Sequence, residues 1–334
     1  QRCTDTSITL ARLMRALMDY NMLNTEETAL KIGINGTGLV QRASIEDIRQ
    51  DAEQAALEGF DSYWLAEHPS GGFDALTVLS LVGATVTELE LGTAIVPTFP
   101  RHPMTLAGQT LTAHQACQGR LTLGIGLSHK IMMEAMGLPF EKPIGHLRDY
   151  LSILMALLET GQVSHQGAHY SCEGTFFQKP AHPPEVLVAA LGPQALKVAG
   201  HRTNGTTLAW VGPKTVASHI KPKLSQAAER AGRPAPRILA TLPICVTDQP
   251  DRIRTLITQR LSFYAELPSY RAMFDREGVE HPGDLALVGS AAQVSDQLER
   301  LAAAGVTDYA ASIFATQPEE QANTRALLTE HIQH

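Results

Sequence analysis

Residues 89–126 read LELGTAIVPTFPRHPMTLAGQTLTAHQACQGRLTLGIG, and this stretch decides the fold. Residues 89–96 (LELGTAIV) form an apolar, β-prone run. Pro103 opens a helical stretch over 103–117, and residues 121–126 (LTLGIG) make a second β-prone run. Strand, helix and strand in this order make parallel strands covered by a helix. Both runs are nearly continuous in apolar residues, as expected of strands buried on both faces.

The same rhythm extends outward. Upstream, Lys31 to Asn35 (KIGIN) predicts a first strand. Ser44 then caps a helix, with Asp47 at the capping-box position, and Gly59 closes it. A second strand is predicted over 61–68 (DSYWLAEH) and a helix over 74–87. Downstream, residues 144–160 predict a helix, and VSHQGAHYS (163–171) a hairpin turning at Gln166-Gly167. Pro180, Pro183 and Pro184 break regular structure. Strand five is EVLVAA (185–190), followed by a helix from Pro193 to near Gly200. Strands six, seven and eight fall at 205–211, 238–246 and 308–314, with long helical stretches at 251–278 and 291–304. Eight strands with their helices predict an α/β fold, a closed (β/α)₈ TIM barrel with an insertion after strand four, about residues 127–184. The rival is an open doubly wound sheet, which carries GxGxxG after its first strand. Here Asn35-Gly36-Thr37-Gly38 is followed by Leu39-Val40, without the third glycine.

Composition fits this picture. The 334 residues carry 44% apolar and 18% charged side chains, ordinary for a globular chain, and allow one large barrel domain over 30–334. A net charge of −7 argues against a nucleic-acid partner. Cys3, Cys117, Cys172 and Cys245 form no CxxC pair, so they read as free thiols in a reducing cytoplasm. No apolar run approaches the ~18 residues of a membrane span. Residues 1–29 read as an N-terminal extension, with Ile8, Leu10, Leu13, Leu17 and Met18 on one face of a short amphipathic helix.

In a barrel, chemistry gathers where strands run into the following loops. That rule selects Asn35 after strand one, Glu67 and His68 after strand two, and Arg101 and His102 after strand three. It also selects Gly126, Leu127, Ser128 and His129 after strand four. Leu191, Gly192, Pro193 and Gln194 follow strand five, and Trp210 ends strand six. His68 and His129 are candidate proton carriers because imidazole titrates near neutral pH; either also reads as an ordinary loop or strand-end histidine. Gly192 lets a backbone approach a ligand, and the helix that Pro193 opens presents free N–H groups to a phosphate; an ordinary strand-to-helix turn has the same residues. Gly124 and Gly126 leave space for a flat ring or relieve crowding between strands. GxSxG, HExxH and P-loop motifs are absent, and no metal-ligand spacing links the thirteen histidines.

Together, DSYWLAEH, LGTAIVPTFPRHP, GRLTLGIGLSH, ALGPQALKVAG and LVGSAAQVSDQLERLAAAGVTDY resemble the bacterial luciferase-like superfamily, over about residues 30–315. Within it they are most similar to the branch that uses the deazaflavin coenzyme F420. The resemblance implies an oxidoreductase barrel, a homodimer, with a cofactor ring in its mouth and the cofactor phosphate near strands five and six. It implies that His68 and Glu67 lie near the ring, and that Ala94-Ile95 forms a bulge often holding a non-proline cis peptide. It implies that Leu127 and Ser128 give backbone contacts to the ring and that Gly192, Pro193 and Gln194 form the phosphate loop. The dehydrogenases of that branch have a glutamate where this chain has His129. The implied activity is therefore hydride transfer between coenzyme F420 and a small organic substrate rather than sugar-phosphate oxidation. An FMN-dependent monooxygenase, or a barrel subunit without catalysis, fits the same segments.

Overall fold

The computed structural model describes residues 29–40, 43–68, 71–178 and 181–332. The amphipathic helix expected within 1–29 lies outside the described residues. Eight parallel strands form the barrel: β1 (Lys31–Asn35), β2 (Ser62–Leu65), β3 (Glu90–Thr93), β4 (Leu121–Gly126), β5 (Val186–Ala189), β6 (Gly205–Ala209), β7 (Arg237–Thr241) and β8 (Asp308–Ile313). Each pairs with the next, and β8 pairs back onto β1 in the register Lys31↔Asp308 to Ile34↔Ala311. The sheet is closed, as the (β/α)₈ reading requires, and the open doubly wound alternative is excluded.

Local chemistry explains where the elements begin and end. Ser44 accepts from the Asp47 N–H while Asp47 accepts from the Ser44 N–H, the reciprocal cap expected for helix Ile45–Leu57. Ser290 and Gln293 repeat the device for helix Ala291–Ala304, and Gly305 ends it at φ 102°. Three expected elements are cut shorter. The second strand stops at Leu65, so residues 66–68 already belong to the loop above it. The third is interrupted at Ala94–Ile95, a cis peptide, and pairing resumes at Val96–Pro97 against Ile125 and Gly126. The helix expected over 251–278 is two helices, Pro250–Glu266 and Pro268–Glu277. Pro268 has no N–H to continue the first of them, and Leu267 takes the extended conformation that sterics before a proline favour (φ −75°, ψ 122°).

Strand seven continues past Leu242 as Pro243–Val246, still paired with β8. Its other edge, above the end of β6, is covered by a short strand, Leu287–Gly289, that periodicity does not reveal. Between β4 and β5 the chain adds a short helix, Lys130–Ala135, and the hairpin Gln162–Gln166 with Ser171–Thr175. Helix Pro143–Thr160, also in this interval, packs against helices Pro103–Ala116 and Pro193–Arg202 in the outer ring.

The barrel is filled from below. Trp64, Leu187, Leu239 and Ala310 form a cluster across the lumen. The Trp64 indole donates to Ser62 Oγ at 2.7 Å. Gly92 makes room for it, since a Cβ there would lie 2.0 Å from the indole ring. Beneath this layer Arg237 donates to Glu90 (2.9 Å), Glu185 (2.5 Å) and Asp308 (2.7 Å). These residues stand at or just before the starts of β7, β3, β5 and β8, so one guanidinium ties the bottom of the barrel together. Asp308 is 3% exposed. Removing its counter-charge leaves a buried carboxylate unpaired. We expect Arg237→Met to destabilise the fold by ~3 kcal/mol, read as a lower urea midpoint with unchanged slope.

Candidate active site at the barrel mouth

The C-terminal strand ends surround a cavity of about 970 Å³. Asn35, Glu67, His68, Ala94, Ile95, Gly126, Leu127, Ser128, His129, Leu191 and Gly192 all line it. Pro193 and Gln194 do not line it; they form the first turn of the helix that starts beside it. Arg101 and His102 stand behind the wall instead.

Each lining group is placed by its element. Asn35 Oδ1 accepts from the Thr37 N–H at 3.0 Å, and Thr37 Oγ1 accepts from the Ala66 N–H at 2.9 Å. This latches the β1 loop to the β2 loop. The Glu67 N–H donates to the Ile95 carbonyl at 2.9 Å, which fastens the β2 loop to the Ala94–Ile95 bulge. The Glu67 side chain is not a free base. Arg101 grips it with two parallel bonds of 2.6 and 3.0 Å and also bonds Asp74, the N-cap of helix Ala75–Gly83. The Arg101 side chain is only 16% exposed, so this is an inner strap rather than a surface pair. His102 caps helix Pro103–Ala116 by accepting from the Met104 N–H. Gly124 serves packing, because a Cβ there would meet the Thr93 carbonyl at 1.9 Å. A Cβ on Gly126 would lie 3.1 Å from Ile95 and Ala189 in the cavity wall.

Two helix starts follow β5 and β6, and they differ. After β6, Gly212 precedes a helical turn whose Lys214 and Thr215 N–H groups donate to the Glu277 carboxylate at 3.1 and 2.7 Å. An internal anion already fills that position. After β5, Gly192 caps helix Pro193–Arg202 with no side-chain bond to the free amides. A Cβ on Gly192 would meet nothing within 4 Å. The amides at Gln194 and Ala195 have no hydrogen-bond partner among the described residues, and they lie at the start of a helix whose dipole favours an anion. On the cavity floor the Thr241 hydroxyl is buried and has no partner among the described residues.

His68 and His129 make no side-chain hydrogen bond with the described residues. Burial lowers the pKa of both below the ordinary histidine value, and the charge of His68 lowers that of His129 further. Both are thus neutral imidazoles at pH 7, able to accept a proton.

Trp210 and His129, both selected from strand ends, are joined by two tyrosines that the strand-end rule does not select. Trp210, Tyr264, Tyr270 and His129 run in sequence, with ring centroids 5.1, 5.7 and 5.4 Å apart. Tyr264 and Tyr270 enter from either side of the Leu267–Pro268 break. The usable signal was Pro268 inside an aromatic-rich run, LSFYAELPSY. A continuous helix would not have turned both tyrosines inward. Among the described residues no cluster of His, Cys, Asp or Glu could hold a metal ion, and no helix is long and apolar enough to cross a membrane.

Comparison with known proteins gives the family. A family model described as luciferase-like monooxygenase matches residues 28–308. The chain belongs to the luciferase-like monooxygenase family. It is 27% identical over 256 residues to an F420-dependent glucose-6-phosphate dehydrogenase of Nakamurella multipartita, covering 72% of this chain and 73% of that protein. The coenzyme F420-dependent tetrahydromethanopterin reductase of Methanopyrus kandleri superposes with a TM-score of 0.75 at 21% identity, over 91% of this chain and 98% of the other. The oxygenating constituent of 3,6-diketocamphane monooxygenase of Pseudomonas putida, in complex with FMN, superposes at 0.72 and 16% identity, over 91% and 98%.

The two histidines give a direct check. In His68→Gln the titration midpoint of His129 should rise, because a neighbouring positive charge has been removed; both wild-type midpoints should lie below 6.5. Histidine ring-proton NMR across pH reads this, and an unmoved His129 midpoint would separate the two groups.

Proposed function

We propose that this chain transfers a hydride between the deazaflavin coenzyme F420 and a small organic molecule held at the barrel mouth. The observation that carries this reading is the uncapped helix start at Gly192 on the rim of a cavity large enough for a tricyclic ring. The F420-dependent relatives support it. When bound, the deazaflavin supplies a two-electron hydride donor or acceptor.

The residues of the chain do the rest. Amides at Gln194 and Ala195 hold the phosphate, and Gly192 lets it approach. The backbone around Gly126, Leu127 and Ser128 and the adjacent Ala94–Ile95 bulge would hold the ring. Ser128 adopts a left-handed conformation (φ 60°), which directs the turn after β4 over the cavity. In the oxidative direction a C–H bond of the substrate gives up its hydride, and the proton from its hydroxyl passes to the neutral imidazole of His68 or His129. The lowered pKa values leave that imidazole unprotonated down to below pH 6.5. Glu67 acts as a positioning residue: held by Arg101, it fixes the loop that carries His68.

FMN is the second reading, favoured by the FMN-bound structural neighbour. FMN shares the three-ring shape and the ribityl phosphate. Titration of purified protein with each cofactor, followed by visible absorbance, separates the two. Saturation by coenzyme F420 with none by FMN is the expected result, and the reverse would overturn the assignment. Gly192→Asp places a carboxylate at the phosphate cradle and should weaken cofactor binding about tenfold or more. His68→Ala should lower kcat about a hundredfold with cofactor affinity unchanged. The acid limb of the wild-type kcat profile should have its midpoint below 6.5.

A further inference from the structure

The cavity lining is rich in aromatic and apolar side chains and poor in cations, and that composition bears on what binds beside the cofactor. Between Trp210 and His129 the wall is aromatic, through Tyr264 and Tyr270, and Leu261 and Phe140 add apolar lining. Two apolar residues at the lips, Ile131 and Phe263, stay 58% and 40% exposed. Exposed side chains of this size at a cavity entrance are what an apolar ligand covers.

The charges point the same way. Lys130 is the one lysine or arginine that lines the cavity among the described residues, and it is turned to Glu134 at 3.5 Å with 68% of its side chain exposed. Glu67, Glu134 and Glu266 line it too. Both histidines are held neutral by burial. Apart from Lys130, no cation lines the cavity to neutralise a substrate phosphate or carboxylate among the described residues.

The tyrosines add a polar edge. The hydroxyls of Tyr264 and Tyr270 form no hydrogen bond with the described residues. Burial raises both pKa values, so they remain neutral donors across the working range. We infer that the molecule facing the cofactor is uncharged and largely apolar, with a ring that stacks in the Trp210–Tyr264–Tyr270 wall and one carbonyl or hydroxyl oxygen that accepts from a tyrosine. This rests on the redox-site reading above and names its substrate class. It departs from the sugar phosphate in the name of the Nakamurella multipartita relative.

A matched pair of probes tests it: 4-phenylbutan-2-one and 3-phenylpropanoate, which differ chiefly in charge, with glucose 6-phosphate as a third. Isothermal titration is run on the cofactor-loaded and the cofactor-free protein. The ketone should bind at least about tenfold tighter than either anion. Tyr264→Ala should weaken ketone binding about tenfold and leave the cofactor absorbance titration unchanged. Tyr264→Phe, which keeps the ring and the fold, should lose only a part of that. Equal or tighter binding of an anion, or a ketone affinity indifferent to both variants, would overturn the inference. If no cofactor binds but the ketone still does, the redox reading fails and the substrate class stands. If the cofactor binds and the ketone binds to neither form, the substrate class fails alone.

Discussion

The hydrogen-bonded closure of β8 onto β1 is the constraint from which the rest follows. Four paired positions, Lys31–Asp308 to Ile34–Ala311, remove both free edges of an otherwise open parallel sheet. Once the sheet is closed, every strand runs the same way and every strand end meets on one rim. Residues scattered from Asn35 to Tyr270 then surround a single cavity. The other end is sealed by the Arg237 fork on three carboxylates, and the lumen between is plugged by Trp64.

The rim is built from two kinds of material. On the β4 and β5 side it is backbone and small residues, which allow close approach and present amides. On the β6 and β7 side it is aromatic rings carried by the broken helix at 261–270. In the proposed reading a flat ring with an anionic tail occupies the first and an uncharged partner the second. The neutral pair His68 and His129 belongs to the same cavity wall. The β2 loop that carries His68 is braced by Glu67, Arg101 and Asp74, partly buried charges whose mutual bonds offset their desolvation. Glu277 does similar work on the far side, where it joins the end of helix Pro268–Glu277 to the turn after β6.

Much of this was legible in the sequence, for physical reasons. Strands buried on both faces must be apolar throughout, so β1 to β8 stand out between helical stretches. Caps at Ser44 and Gly305 are local chemistry and are read locally. Because a barrel places its site at strand ends, ten of the fourteen residues that this rule selects line the cavity without any knowledge of distances. What was not legible depends on partners far along the chain. Position after strand two nominates Glu67, but only the fold shows that Arg101, 34 residues away, holds its carboxylate. The helix starts at Gly192 and Gly212 look alike as sequence, yet only the tertiary fold brings Glu277 to the second. Strand Leu287–Gly289 exists because β7 outruns β6 and leaves an edge to cover. Tyr264 and Tyr270 enter the cavity because the helix breaks at Pro268 over the mouth.

Periodicity, caps and loop positions are properties of neighbours in the chain, and so the amino-acid sequence by itself determined the barrel, its polarity and the strand ends that carry the site. Which of those residues are free to act is set by hydrogen bonds and charges between segments tens of residues apart. Only the closed tertiary structure decides that, because only there do the segments meet.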